Sequence, residues 1–374
     1  MARSGLIGSA SLVFVASTLF FSGVAAFTPL VDKRFSYPDG IPYQVDTDNL
    51  ARGTQTGYNR CNSTTEGQSS LCQTAFINSV DDFCLWAPIN PNSIVGNVEG
   101  EMVAWCTKAG RGTRIIPGGA LRGVQFMKTP DYVQVVGFVD QAKINIQTGD
   151  EGGEMDPHGA DLRGNPLGGL LYSNAYTGSW SQVIEWHNFM GSDIFCLKAC
   201  DPAGPNAARF CEHIYDRIGC AYNAPNNAQS GVFESCQGEN QDFPGVYVQN
   251  GVTQTYQQPA GAIGQLPYTP RVPASSSCTQ FASESIYTAG ATVSAPVPTS
   301  SGSSNSTSGA TSQTSSGTGG PTNTSPTGSV PTTRTQTATG TAPPAGQSGN
   351  AASTLVASGI VTIFGVVFAG LFFA

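Results

Sequence analysis

Ten cysteines constrain this chain more than any other feature: Cys61, Cys72, Cys84, Cys106, Cys196, Cys200, Cys211, Cys220, Cys236 and Cys278. None stands in a C-x-x-C pair, the spacing by which thiolates commonly hold zinc. An even set of this kind points to as many as five disulfides, formed in an oxidising compartment. Residues 35–280 are therefore expected to form the secreted, disulfide-bonded part of the protein, as one large domain or two small ones. The spacing alone leaves the pairing open.

Both termini carry the same address. Arg3 supplies a basic start, Leu6 to Val24 is apolar, and Val24-Ala25-Ala26 has the small-residue pattern of signal peptidase cleavage, so residues 1–26 are expected to be a signal peptide. Lys33-Arg34 is a dibasic pair with two readings: a processing site that removes residues 27–34 as a short propeptide, or two exposed basic side chains. At the other end, Leu355 to Ala374 contain no charged residue, and Arg334 is the last charge before them. An apolar stretch with no basic flank beyond it reads as a GPI-anchor signal over residues 354–374, with Asn350 as the lipidation site and Gly346 or Gly349 as alternatives. The competing reading is a retained single-span helix. Between head and tail, residues 288–353 are almost wholly Ser, Thr, Gly, Pro and Ala, which cannot bury enough apolar surface to order themselves. They are expected to form an O-glycosylated stalk. Asn62, Asn305 and Asn323 open N-glycosylation acceptors. The expected location is extracellular, at the cell surface or cell wall, held to the plasma membrane.

Within the head, Leu71, Ala75, Phe76, Val80 and Phe83 recur at three- and four-residue steps after Ser69 and Ser70, which predicts a helix. From Glu101 onward the period is two. Val124 and Phe126, Val133 and Val135, and Ile144 and Ile146 alternate with polar or small residues, and Thr129-Pro130-Asp131 marks a turn. Met102 to Cys106, Arg114 to Ile116, Leu170 to Tyr172 and Gln182 to Phe189 are further strand-like runs. The polar, Pro- and Gly-broken stretch from Tyr37 to Asn59 reads as an extended segment lying along a later sheet. The fold class expected is mainly β, a disulfide-rich sandwich or barrel with one or two short helices.

Three places carry candidate chemistry. In GDEGGEMDPHGADLRGNPLGG, Gly149 to Gly169, the side chains of Asp150, Glu151, Glu154, Asp156, His158 and Asp161 crowd a glycine-rich loop. The spacing fits no EF-hand and no second ligand group stands out nearby, so a hydrogen-bonded structural loop is the leading reading over a metal site, and no cofactor is expected. Glu185 and His187 are two apart, hence on one face of a strand, where a carboxylate can orient an imidazole for acid–base work. If the protein is an enzyme, Glu185, His187, Asp156 and His158 are its catalytic candidates. Finally, Tyr172, Tyr176, Trp180 and Trp186 offer rings that stack on sugar faces or fill a β core. A G-x-S-x-G elbow and a Walker loop are both lacking. A net charge of −8 argues against nucleic-acid binding.

The runs YPDGIPYQVD, TEGQSSLCQTAFINSVDDFCLWAP, NVEGEMVAWCTKAGRGTRIIPGGALRGVQFMKTPDYVQV, GGEMDPHGADLRGNPLGGLL, EWHNFMGSDIFCLKACDPAGPNAARFCEHIYDRIGCAYNAP and GVFESCQGENQDFPGVY resemble the fungal macrophage-activating glycoproteins and immunoreactive mannoproteins. The resemblance covers nearly all of Phe35 to Cys278. It implies a mannosylated surface protein with a Ser/Thr-rich region and a glycolipid anchor, read by host lectin receptors through its mannose glycans, and it implies no catalytic residues. The leading expectation is a non-enzymatic surface mannoprotein whose partners are cell-wall glycans and host lectins. The alternative is a carbohydrate-active enzyme or glycan-binding module acting on wall polysaccharide.

Overall fold

A computed structural model describes residues 27–292. The expected signal peptide, the expected stalk from residue 293 onward with Asn305 and Asn323, and the expected anchor signal with Asn350 lie outside the described residues. The first residues assigned to the stalk are ordered instead: Ala289–Thr292 is a 3-10 turn, held where Gly118 N–H donates to Gly290 O at 2.7 Å. Among those described, no helix is long and apolar enough to cross a membrane.

The architecture is mainly β, as expected. In chain order the strands are β1 (Thr74–Ser79), β2 (Asp82–Ala87), β3 (Val103–Cys106), β4 (Arg114–Ile115), β5 (Leu121–Lys128), β6 (Tyr132–Val139), β7 (Gly153–Met155), β8 (Leu170–Ser173), β9 (Ser181–Val183), β10 (Trp186–Gly191), β11 (Ile194–Cys200), β12 (Phe233–Gly238), β13 (Val246–Gln249), β14 (Val252–Thr255) and β15 (Ser275–Gln280). They build a six-stranded sheet ordered β4-β3-β2-β1-β8-β9 and a seven-stranded sheet ordered β15-β12-β5-β6-β11-β10-β7, with β13 and β14 a separate hairpin. Helices are single turns, such as α1 (Val95–Val98), α2 (Ala207–Phe210) and α3 (Cys220–Asn223).

The two large sheets share one apolar core. Trp86 of β2 meets Trp186 of β10 at 5.8 Å between rings, and Phe83 of β2 stacks on Phe195 of β11 at 6.0 Å. The Trp86 backbone N–H donates to Asn188 Oδ1 of β10 at 2.8 Å, so one hydrogen bond also crosses the sandwich.

Alternation along β11 shows how the seven-stranded sheet is used on both faces. Phe195, Leu197 and Ala199 join the core between the sheets, whereas Cys196, Lys198 and Cys200 turn the other way. That second face is covered by residues 201–230, tied down by Cys196–Cys220 and Cys200–Cys211. Under the cover, Lys198 Nζ donates to Phe210 O at 3.3 Å and to Asn223 O and Gln241 Oε1. Three acceptors satisfy an ammonium that could not otherwise leave water. The remaining bridges, Cys61–Cys72, Cys84–Cys106 and Cys236–Cys278, complete five disulfides that use every cysteine.

Two local expectations are corrected. Residues 71–83 form no helix: they enter the β1–β2 hairpin, and Ser70 Oγ donates to Gly112 O at 2.8 Å and accepts from Cys72 N–H at 3.2 Å, a turn that leads into a strand. β2 is buried along its whole length and β1 over most of it. A strand covered on both faces carries apolar residues at nearly every position, and a helical spacing can be picked out of such a run by chance. Ile144 and Ile146 also leave the strand pattern, because Gln141–Ile144 is a single 3-10 turn. The Thr129-Pro130-Asp131 turn does join β5 to β6, with Thr129 N–H donating to Tyr132 O at 2.9 Å. The segment from Tyr37 to Asn59 meets the six-stranded sheet at both ends: the Tyr37 ring lies 5.2 Å from Phe76 of β1 and 5.3 Å from Tyr172 of β8, and Tyr58 O accepts from Gln73 N–H, just ahead of β1, at 2.7 Å.

Candidate functional site

The antiparallel register of β7 and β10 assembles the site. Met155 faces Asn188 and Glu154 faces Phe189. Continuing that register past the end of β7 sets Asp156 across from His187 and His158 across from Glu185. The structure realises the second pairing: His158 Nε2 lies 3.0 Å from Glu185 Oε2. Asp156 Oδ1 accepts from the backbone N–H of His158 at 2.7 Å and of Gly159 at 2.9 Å, which fixes the turn that aims the imidazole.

The covering segment supplies another histidine. Cys200 N–H donates to Glu185 O at 3.0 Å, and the same Cys200 is bonded to Cys211, two residues before His213. That chain of covalent and hydrogen bonds brings His213 over the site, where its ring stacks on His158 at 3.6 Å between centroids and 13° between planes. His213 Nδ1 lies 3.8 Å from Glu212 Oε1. One ligand atom each from His158, Glu185 and His213 lies within 4.8 Å of the others. This overturns the expectation that no second ligand group stands near the His158 loop.

Beneath them is a store of carboxylates. Glu154 is 4% exposed, and neither of its oxygens has a hydrogen-bond partner. Burial, reinforced by the charges of Asp156, Asp216, Glu99 and Glu212, pushes its carboxyl well above the ordinary range. Glu99 is pushed up to about 7, chiefly by burial, with Asp156 and Asp216 adding to it and Arg52 opposing. Gly153 lets Glu99 come this close, since a Cβ there would stand 2.0 Å from Glu99 Oε1. Asp156 is raised by burial against the pull of its two N–H donors. Burial works against a charged His158, yet its hydrogen bond and charge interaction with Glu185 outweigh it and hold the imidazole above its usual range. His213 moves down, through burial and the neighbouring His158 charge.

His187 does not join the site. It shares the Glu185 face as the period-two reading implied, but it is 0% exposed under the cover, with its ring against Phe189 at 5.3 Å and both nitrogens unpartnered. Burial, then the charge of Lys198, depress its basicity strongly. The other acids of the loop do structural work. Asp150 Oδ2 accepts from Val95 N–H at 2.9 Å, and Asp161 pairs with Arg52, which also donates to Gly164 O at 2.9 Å. The aromatic group packs inward: Trp180 sits on Tyr37 at 5.0 Å and on Phe76 at 5.5 Å, while Tyr172 and Trp186 are buried. A recess lined by Ile116, Leu121 and Tyr287 shares no residue with the site. Asn62 is exposed and its Oδ1 accepts from Thr64 Oγ1 at 2.6 Å, so the acceptor triplet stands at the surface.

The sequence reading missed Glu99, Glu212, His213 and Asp216 as members. The only available signal was the scarcity of histidine, three in all, and the closeness of His213 to Cys211.

The chain is 45% identical over 269 residues to appressorium protein ROW2 of Mycosarcoma maydis, a match spanning 70% of this chain and 88% of that protein. It is 50% identical over 196 residues to appressorium protein ROW1 of the same fungus, spanning 52% of this chain and 46% of that longer relative. No protein-family model matches, and no solved structure matches.

Proposed function

The chain belongs to the fungal family of appressorium proteins ROW1 and ROW2, and from that premise we propose that it is a secreted protein of the fungal cell surface. In this reading a GPI anchor at Asn350 holds it to the plasma membrane, and an O-glycosylated stalk presents a disulfide-braced head to the wall and, on contact, to a host. Mannose-rich glycans on Asn62 and the stalk are the groups that host lectins read, as the resemblance to immunoreactive mannoproteins implies. The observation that carries it is the complete pairing of ten cysteines, a state that favours the oxidising export route.

The test is to express the intact chain in a filamentous fungus and treat living cells with phosphatidylinositol-specific phospholipase. Release of a mannosylated, fully oxidised product supports the proposal; a cytosolic, unglycosylated product with free thiols overturns it. A second reading has one observation of its own, the meeting of Asp156, His158 and Glu185 at one place. In that reading the head acts on wall polysaccharide by acid–base chemistry. Hydrolysis of wall glycans that disappears in Glu185→Gln, with the fold retained, is the result that would favour it over pure display.

A further inference from the structure

We propose that His158, Glu185 and His213 form a binding site for one divalent transition-metal ion of the zinc type. The inference goes beyond the surface role and does not depend on it.

Three independent features meet here. The first is geometry. Two imidazoles and a carboxylate present donor atoms that all fall within 4.8 Å of each other. Bonds of about 2.0–2.2 Å to a tetrahedral ion require donors roughly 3.4 Å apart. The His158–Glu185 contact, at 3.0 Å, is already close to that value. The His158 and His213 rings, now parallel at 3.6 Å, must fan open about their side-chain torsions so that both lone pairs aim at one point. The second is the donor set. Two nitrogens and one oxygen suit zinc, cobalt, nickel or copper, whereas magnesium and calcium take oxygen donors almost alone.

The third is charge. Asp156, Glu185 and Glu212 act on both histidines, Glu99 and Asp216 act with them on the neighbouring Glu154, and the buried Glu154 carboxyl accepts no hydrogen bond from any described residue. Arg52, the cation acting on this group, is already paired with Asp161. A dipositive ion is the partner that such an arrangement lacks. The surrounding carboxyls would orient and polarise the ligands, as outer-shell acids do around zinc. The ligand side chains are 16%, 17% and 35% exposed, so an ion can reach them without unfolding the cover. With three protein donors, the fourth position would be open to water or to an anionic or hydroxyl-bearing ligand.

The decisive experiment uses the intact secreted protein, free of affinity tags and stripped with a chelator, titrated with ZnCl2 by calorimetry and checked by elemental analysis after dialysis. One zinc per folded chain is expected. His158→Ala, His213→Ala and Glu185→Gln should each weaken binding by more than about tenfold, while Glu151→Gln, an exposed acid in the same loop, should leave it unchanged. Cobalt(II) should give the intense visible bands of a four-coordinate site in the parent protein and lose them in Glu185→Gln, a variant that preserves side-chain shape. Failure of the folded parent to take up stoichiometric zinc overturns the proposal. So does zinc uptake that His213→Ala and Glu185→Gln both leave intact.

Discussion

Glu99 and His158 carry opposite charges on ionisation, and each leaves its own signature in the pH dependence of the metal-free protein. Glu99 ionises at about 7 when folded against 4.5 as a free side chain. The unfolded chain therefore releases this proton first, and stability falls as pH rises from about 4.5 to about 7, then levels. A shift of that size corresponds to about 3 kcal/mol. Denaturant unfolding in chelator at pH 5 and pH 7.5 should show much of that loss, and Glu99→Gln should flatten it. The groups facing Glu99 are Glu154, Asp156, Asp216 and Arg52, and Glu154, raised in the same direction, adds to the slope. His158 is held above its ordinary value by Glu185. Its contribution is complete below the unfolded imidazole value and disappears as pH climbs through the folded one. Glu185→Gln should lower the His158 titration midpoint read by NMR. An unchanged midpoint would mean the 3.0 Å contact is not formed in solution. Of these residues, Glu185, Asp156 and His158 were visible as chemistry-bearing side chains in the sequence. His187 was misjudged because a period of two names a face but not what covers it.

At the scale of elements, the Cys200–Cys211 bridge couples the end of β11, and through it Glu185, to the segment that bears His213. Replacing both cysteines with serine should cost roughly 3 kcal/mol in thermal or denaturant stability, the usual range for a bridge of this kind. It should also release His213 from the ring of His158, seen as loss of their mutual NMR shifts. A stable variant in which the rings still stack would show that the cover docks without its tether. In the core, Trp86 is fully buried against Trp186 across the two sheets, and Trp86→Ala should destabilise the head by about 3–5 kcal/mol in a denaturant melt. The β1–β2 hairpin shows why such an element escapes a periodicity reading. β6 could be read from the alternation of Val133 and Val135 about Gln134, whereas Ala75-Phe76-Ile77 in β1 and Phe83-Cys84-Leu85-Trp86-Ala87 in β2 are unbroken apolar runs with no period of two.

For the whole molecule, five bridges and one shared core make the head a unit whose integrity depends on oxidation. Dithiothreitol in non-denaturing buffer should therefore erase the near-ultraviolet circular dichroism of Trp86, Trp105 and Trp186; retention of that signal after full thiol release would place the stability in packing alone. Composition and spacing by themselves determined the cross-linked, β-rich class of this chain, because cysteine count and residue alternation are local quantities that need no knowledge of what lies across the fold. Which cysteines pair, which face of β10 is sealed, and the meeting of His158, Glu185 and His213 were decided only by the tertiary structure. Strand register and a disulfide-tethered cover bring residues 27 and 28 positions apart to within bonding reach, and no local pattern in the chain encodes that distance.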